Sequence, residues 1–223
     1  MHGPGEPTGA IPAPLRPRFR GVIHRWGAVA FIVLFIALSV VAYGPGSRLV
    51  VGIYGCCVTA MLTVSAVYHS GRLSPKATRR LKRVDHATIL FAIAGTYTAV
   101  IALALEGTTR VVMLFVVWVA ALIGLAIRMV WLDAPYPLVA VVYVVVGWIA
   151  LVDVGALTRA LSGGQMALVV VGGLFYTAGG IVYGAHRPDP WPAVFGYHEV
   201  FHTLVICGAL AHYLAVLAIV RAA

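Results

Sequence analysis

Seven long apolar runs separated by short polar breaks constrain this chain more than any other feature. They are Trp26–Tyr43, Leu49–Tyr68, His86–Leu105, Val111–Ile127, Pro137–Val152, Met166–Gly184 and His198–Val220. A helix that crosses a bilayer needs about 20 mostly apolar residues, within a range of about 17–25. Lipid offers no partner to a backbone amide, so each must be satisfied inside its own segment, and runs of this length predict helices. The alternation of a membrane β-barrel is absent. The expected fold is an all-α integral membrane protein, a seven-transmembrane helix bundle over residues 21–223. The fifth run is the shortest and its limits are the least sharply marked. The first exceeds a signal-peptide core of about 7–15 residues and has no cleavage motif after it, so it reads as a span. Residues 1–20, rich in Pro, Gly and Arg, read as a disordered cytoplasmic tail.

Composition excludes the main alternative. Hydrophobic residues make up 61% of the chain and charged residues 10%, against about 25% charged in a soluble domain. So few charges could not cover a water-soluble fold of 223 residues. The net charge of +9 does not point to nucleic acid, because the basic residues cluster in the tail and in one loop, the pattern of membrane orientation. With the N-terminus cytoplasmic, twelve of the 16 Lys and Arg residues fall on the inner side, leaving Arg48, Arg110, Arg159 and Arg221 outside. The positive-inside rule therefore puts the N-terminus in the cytoplasm and the C-terminus outside. Cys56, Cys57 and Cys207 lie inside apolar runs without a CxxC pair and read as packing residues.

Polar residues inside or at the mouth of a span are costly and mark function. Here they gather. Ser65 and His69 end the second run in SAVYH; Asp85 and His86 open the third; His198, Glu199 and His202 open the seventh in GYHEVFH. Counting spans brings all of them to one side of the bilayer. Residues four apart on a helix differ by about 40° in direction and about 6 Å in height, so His198 and His202 share a face, as do Ser65 and His69. His69, His198 and His202 are therefore the expected metal ligands. Three imidazoles with one open position are a common catalytic Zn2+ arrangement, able to bring the pKa of water to about 7. Asp85 is the expected group to orient that water or carry its proton, and Ser65 the donor to a carbonyl oxygen. The bland alternative is hydrogen bonding between helices, which a single His would favour.

HEVFH also fits the H-E-x-x-H pattern of metalloproteases, in which Glu199 would be the base. The longer form fails, because Val205 and Gly208 stand where Gly and His are needed. No acidic residue follows Glu199, so a third ligand has to come from upstream. Glu199 points about 100° away from His198 and reads as a supporting or loop-facing residue. His24 reads as an interfacial anchor or a cap on the pocket. His86 reads as a neighbour of Asp85 that supports the site or faces the basic loop. His212, about 21 Å deeper than His198 by helix rise, reads as a helix–helix hydrogen-bonding group.

Three patches, SAVYH at 65–69, VDHATILFAIAGTYT at 84–98 and GYHEVFHTLVICGALAHY at 196–213, together resemble the hemolysin III family, the bacterial branch of the progestin and adipoQ receptor family. RPRFRGVIHRWG before the first run adds to the likeness. The resemblance implies seven helices in the cell membrane and an intramembrane zinc on His69, His198 and His202. Asp85 and Ser65 match the motif aspartate and serine. Ala99 departs from the family, where Pro usually follows GTYT. The wider set of related membrane proteins includes alkaline ceramidases, so the resemblance implies hydrolysis of a lipid amide or ester, with membrane lipids as substrate or ligand. Two other readings stay open: a non-enzymatic sensor of membrane state with a structural zinc, and a lytic protein. The scarcity of charge along the spans argues against an aqueous pore.

Overall fold

The computed structural model describes residues 17–69 and 73–222, with the backbone alone at 150 and 151. Among these residues the chain is helical: α1 Val22–Val41, α2 Gly44–Tyr68, α3 Pro75–Ala104, α4 Gly107–Val130, α5 Tyr136–Gly147, a 3-10 segment Ile149–Asp153, α6 Val154–Ala160, α7 Gly163–Ala185 and α8 Tyr197–Ala222. Six of them (α1, α2, α3, α4, α7 and α8) are long and apolar enough to cross a membrane. Their outward faces carry large apolar side chains, Val33, Ile36, Phe115 and Ile181 each more than 60% exposed. A soluble protein would bury such side chains; these suit contact with lipid.

Neighbours in sequence pack side by side from α1 to α4, α5 lies along α7, and α8 closes the arrangement by packing on α7, α1 and α3. Burial marks the centre. Within the apolar window, 56% of α3 and 50% of α8 are buried, against 17% of α7 and 22% of α4. The two most enclosed helices are therefore those that carry most of the polar motifs.

The fifth run, expected as one span over Pro137–Val152, does not form a single helix. α5 is 12 residues long, about 18 Å at 1.5 Å per residue and short of a hydrocarbon core of about 30 Å. It stops at Gly147, and the chain continues through the 3-10 segment into α6. The break survives because other helices satisfy its polar groups. The Tyr97 hydroxyl donates to the Gly147 carbonyl at 2.6 Å, and Trp148 Nε1 donates to Thr177 Oγ1 at 2.8 Å. Broken backbone at membrane depth is tolerated where protein supplies such partners. α5 runs antiparallel to α7, with Ala140 beside Gly184, Val144 beside Gly180 and Trp148 beside Gly173.

Two further boundaries differ from expectation. The basic segment read as loop is helical from Pro75, because Ser74 caps it, its hydroxyl accepting from Ala77 N at 3.3 Å; hydropathy reports burial, not helicity. Of the segment read as a tail, residues 1–16 lie outside the described residues. Residues 17–20 form a turn that docks on the loop before α8, Arg18 N to Ala193 O at 3.1 Å and Phe19 N to Val194 O at 3.2 Å.

Replacing Tyr97 by Phe removes the hydroxyl that closes the α5 break. We expect a loss of roughly 0.6–2 kcal/mol, read as a drop of about 1–8 °C in the unfolding midpoint in detergent. An unchanged midpoint would mean the break stands without it.

Candidate metal centre

α2 ends at Tyr68, and the capping residue after it, His69, keeps a helical bond from its amide to Ser65 O at 2.9 Å. α8 starts at Tyr197, one residue before His198. Its first turn is capped by Glu199, whose Oε2 accepts from Gly196 N at 2.9 Å. The end of α2 and the starts of α1 and α8 therefore meet at one end of the bundle, as counting spans required. Asp85 and His86, ten residues into α3, reach the same level because the first turns of that helix extend beyond them.

The three expected ligands converge. One ring nitrogen from each of His69, His198 and His202 lies within 4.8 Å of the others, a spacing that could hold a metal ion. Ring centroids are 4.6 Å apart for His69–His198, 5.1 Å for His69–His202 and 4.4 Å for His198–His202. His198 Nε2 and His69 Nε2 face each other at 3.1 Å. His202 Nε2 is buried without a hydrogen-bond partner among the described residues. A buried polar atom left unpaired costs about 1–3 kcal/mol, and a cation at this point would satisfy it. Three neutral imidazoles with no carboxylate among them suit a transition ion such as zinc better than calcium or magnesium, which take oxygen ligands.

Ser65 and Asp85 stand on the same wall. Both are buried, their side chains lie near each other, and Asp85 Oδ1 has no partner among the described residues. They line one cavity of about 290 Å3 together with the three histidines. The cavity reaches from Arg20 and Lys82 at the basic end to Met166, Val169 and His212 in depth, between mainly apolar walls.

The remaining candidates take other roles. Glu199 is 1% exposed and pairs with Arg20 Nε at 2.9 Å. With its other oxygen capping α8, it is a structural carboxylate, as its direction on the helix implied. His86 Nδ1 lies 2.6 Å from the Lys82 carbonyl, so its ring is held to its own helix. His212 Nε2 donates to Val169 O on α7 at 3.0 Å, the helix–helix bond expected. His24 is buried and lines the same cavity, in keeping with its reading as a cap on the pocket, with Nε2 2.7 Å from His202 Nδ1.

Two residues escaped the sequence reading. Arg20 had counted only as a charge, yet it is the partner of Glu199. Gly21 has φ 79°, and a Cβ there would lie 3.0 Å from His69 Cβ and 3.1 Å from its carbonyl oxygen. The glycine both turns the chain into α1 and leaves room for His69. Its place just before an apolar run was the available signal; its contact with α2 was not visible.

Comparison with known proteins finds relatives over most of the chain. The family model described as "Haemolysin-III related" matches residues 13–213. The chain is 31% identical over 199 residues to the "Hemolysin-3 homolog" of Bacillus subtilis (strain 168), covering 88% of each chain. It is 26% identical over 199 residues to "Hemolysin-3" of Bacillus cereus, again covering 88% of each. A shorter stretch of 56 residues, 23% of this chain and 24% of the relative, is 43% identical to the "Heptahelical transmembrane protein ADIPOR2" of Oryza sativa subsp. japonica.

Two substitutions check the assignments above. Gly21→Ala should displace His69 and weaken metal binding about tenfold or more, measured by competition with a chelating dye; wild-type affinity would mean α1 and α2 separate freely. Glu199→Gln should cost about 1–3 kcal/mol of stability yet leave metal content unchanged. Loss of metal from a folded Glu199→Gln protein would show that the carboxylate belongs to the site.

Proposed function

The chain belongs to the haemolysin III-related family, and from that premise we propose a seven-span, zinc-dependent hydrolase of lipid amide or ester bonds. The observation that carries this reading is a buried carboxylate with an unpartnered oxygen, Asp85 Oδ1, sharing one mainly apolar cavity with three convergent imidazoles. Packing alone gives no reason for these groups to be together in lipid, where each is costly. Hydrolysis needs all of them.

His69, His198 and His202 would hold the ion. When bound, it supplies Lewis acidity, polarising a carbonyl and making nearby water more acidic. Asp85 accepts the proton of the attacking water at Oδ1 and later returns it to the leaving amine or alcohol. The Ser65 hydroxyl, close to the Asp85 carboxyl, donates its one proton to the carbonyl oxygen as negative charge develops on it. The apolar depth of the cavity takes the acyl chain and excludes bulk water, while Arg20 and Lys82 at its mouth meet the polar headgroup.

The basic end of the bundle is the cytoplasmic one on this reading, supported by the three-to-one Lys and Arg bias. The seventh crossing is the composite of α5, the 3-10 segment and α6. Its antiparallel course along α7 supports this, as does the name of the rice relative, a heptahelical protein. The cell membrane is the proposed location.

One observation favours a second reading. α8 packs on α7, α1 and α3, and α2 packs on α1 and α3. An ion held by His69 and the α8 histidines would bridge two helices joined chiefly through their neighbours. That is what a structural clasp in a membrane-state sensor would do.

Asp85→Asn separates the two readings. A hydrolase should keep its metal and lose turnover of a fluorescent acyl amide or ester by about 10²–10⁴. Ser65→Ala should lose less, and a clasp would be indifferent to both. Metal-loaded wild type that cleaves no lipid amide or ester would contradict the hydrolase and leave the clasp standing.

A further inference from the structure

We infer that His24, on α1, is a positioning residue for the metal centre, acting through His202 by fixing which of its ring nitrogens faces the site. The inference rests on the metal-binding part of the proposal above and goes beyond its ligand set, because His24 lies outside the group of three whose nitrogens converge.

The geometry carries it. The His24 and His202 rings meet edge to face, with centroids 3.8 Å apart and planes at 81°. Their contact is His24 Nε2 to His202 Nδ1 at 2.7 Å, a short hydrogen bond between buried groups 3% and 4% exposed. His202 has then used Nδ1, and its other nitrogen, Nε2, is the one left without a partner. An imidazole that gives its Nε2 lone pair to a cation must keep its proton on Nδ1. That proton needs an acceptor, and His24 Nε2 is the acceptor present. The bond sets the tautomer and stops the ring from turning about its Cβ–Cγ bond, which would swap Nε2 for a carbon. Outer partners of ligating histidines commonly do this, usually through a carboxylate or a carbonyl.

The cost of using histidine here argues against a packing role. If Nε2 of His24 accepts, its own proton sits on Nδ1, and Nδ1 is buried without a partner among the described residues. An apolar side chain would fill the space between α1 and α8 without that unpaired donor, which costs about 1–3 kcal/mol. The backbone is arranged for the contact as well. Gly27, one turn along α1 from His24, faces Ile206, one turn along α8 from His202; a Cβ on Gly27 would come 2.5 Å from Ile206 Cδ1. The close approach of the two helices puts the imidazoles within bonding distance.

Three variants in detergent, each titrated with zinc and with cobalt(II), test the inference. His24→Phe and His24→Leu, which lack an acceptor, should bind zinc about 10–100-fold more weakly and show altered cobalt ligand-field bands. His24→Gln, which keeps a carbonyl acceptor, should stay within a few-fold of wild type and retain the bands. Equal affinity and unchanged bands in folded His24→Phe would overturn the inference, as would equal losses in all three variants. Should the apolar variants not fold, 15N spectra of histidine-labelled, zinc-loaded wild type decide. His202 protonated at Nδ1 supports the role, and His202 protonated at Nε2 overturns it. Wild type that binds neither metal would remove the metal reading itself, whereas wild-type binding with indifferent variants removes this inference alone.

Discussion

An imidazole nitrogen withdrawn from water has to be hydrogen-bonded or ligated, and in a bundle faced with lipid there is no solvent to relax that demand. The polar end of this bundle follows from that constraint. His198 Nε2 faces His69 Nε2, and His202 Nδ1 faces His24. Among the described residues, His202 Nε2, Asp85 Oδ1 and His24 Nδ1 remain unpaired beside them. On the proposed reading a cation would close the first of these and a water the second. The fold serves that placement. α3 and α8, its most enclosed helices, carry the aspartate and two of the histidines, and the turn at residues 17–20 docks on the loop before α8.

Much of this was legible in the sequence, for a reason that can be named. Helix parity is a counting argument, and SAVYH, VDH and HEVFH fall on one side whatever the packing details. The spacing of His198 and His202 needed only the helical repeat. What stayed hidden depends on contacts between segments far apart in the chain. His24 read as either an anchor or a cap on the pocket because nothing local shows that α1 lies against α8 at that height. Gly21, the first residue of the expected bundle, drew no reading of its own because its neighbour, His69, is 48 residues away. The break after Gly147 was masked by an unbroken apolar run, since the hydroxyl and the indole that make it tolerable come from Tyr97 on one side and Trp148 with Thr177 on the other. Hydropathy likewise missed the first ten residues of α3, which are helical but basic.

Glu199 shows how a motif can mislead when read without its surroundings. In a metalloprotease the glutamate of H-E-x-x-H works at the metal. Here both carboxylate oxygens are occupied elsewhere, one by Arg20 and one by the amide of Gly196. The acid left with an open oxygen is Asp85, from a different helix, within reach of Ser65. The chemistry available is therefore that of a site assembled across α2, α3 and α8, not that of a single helical motif.

The proposed chemistry depends on the convergence of His69, His198 and His202 upon one ion. Elemental analysis of detergent-purified protein tests it most directly. We expect about one equivalent of zinc per wild-type chain, lost when either His198 or His202 is changed to Ala in a protein that still folds. Metal-free wild type after purification and zinc loading, or variants that retain a full equivalent, would contradict it.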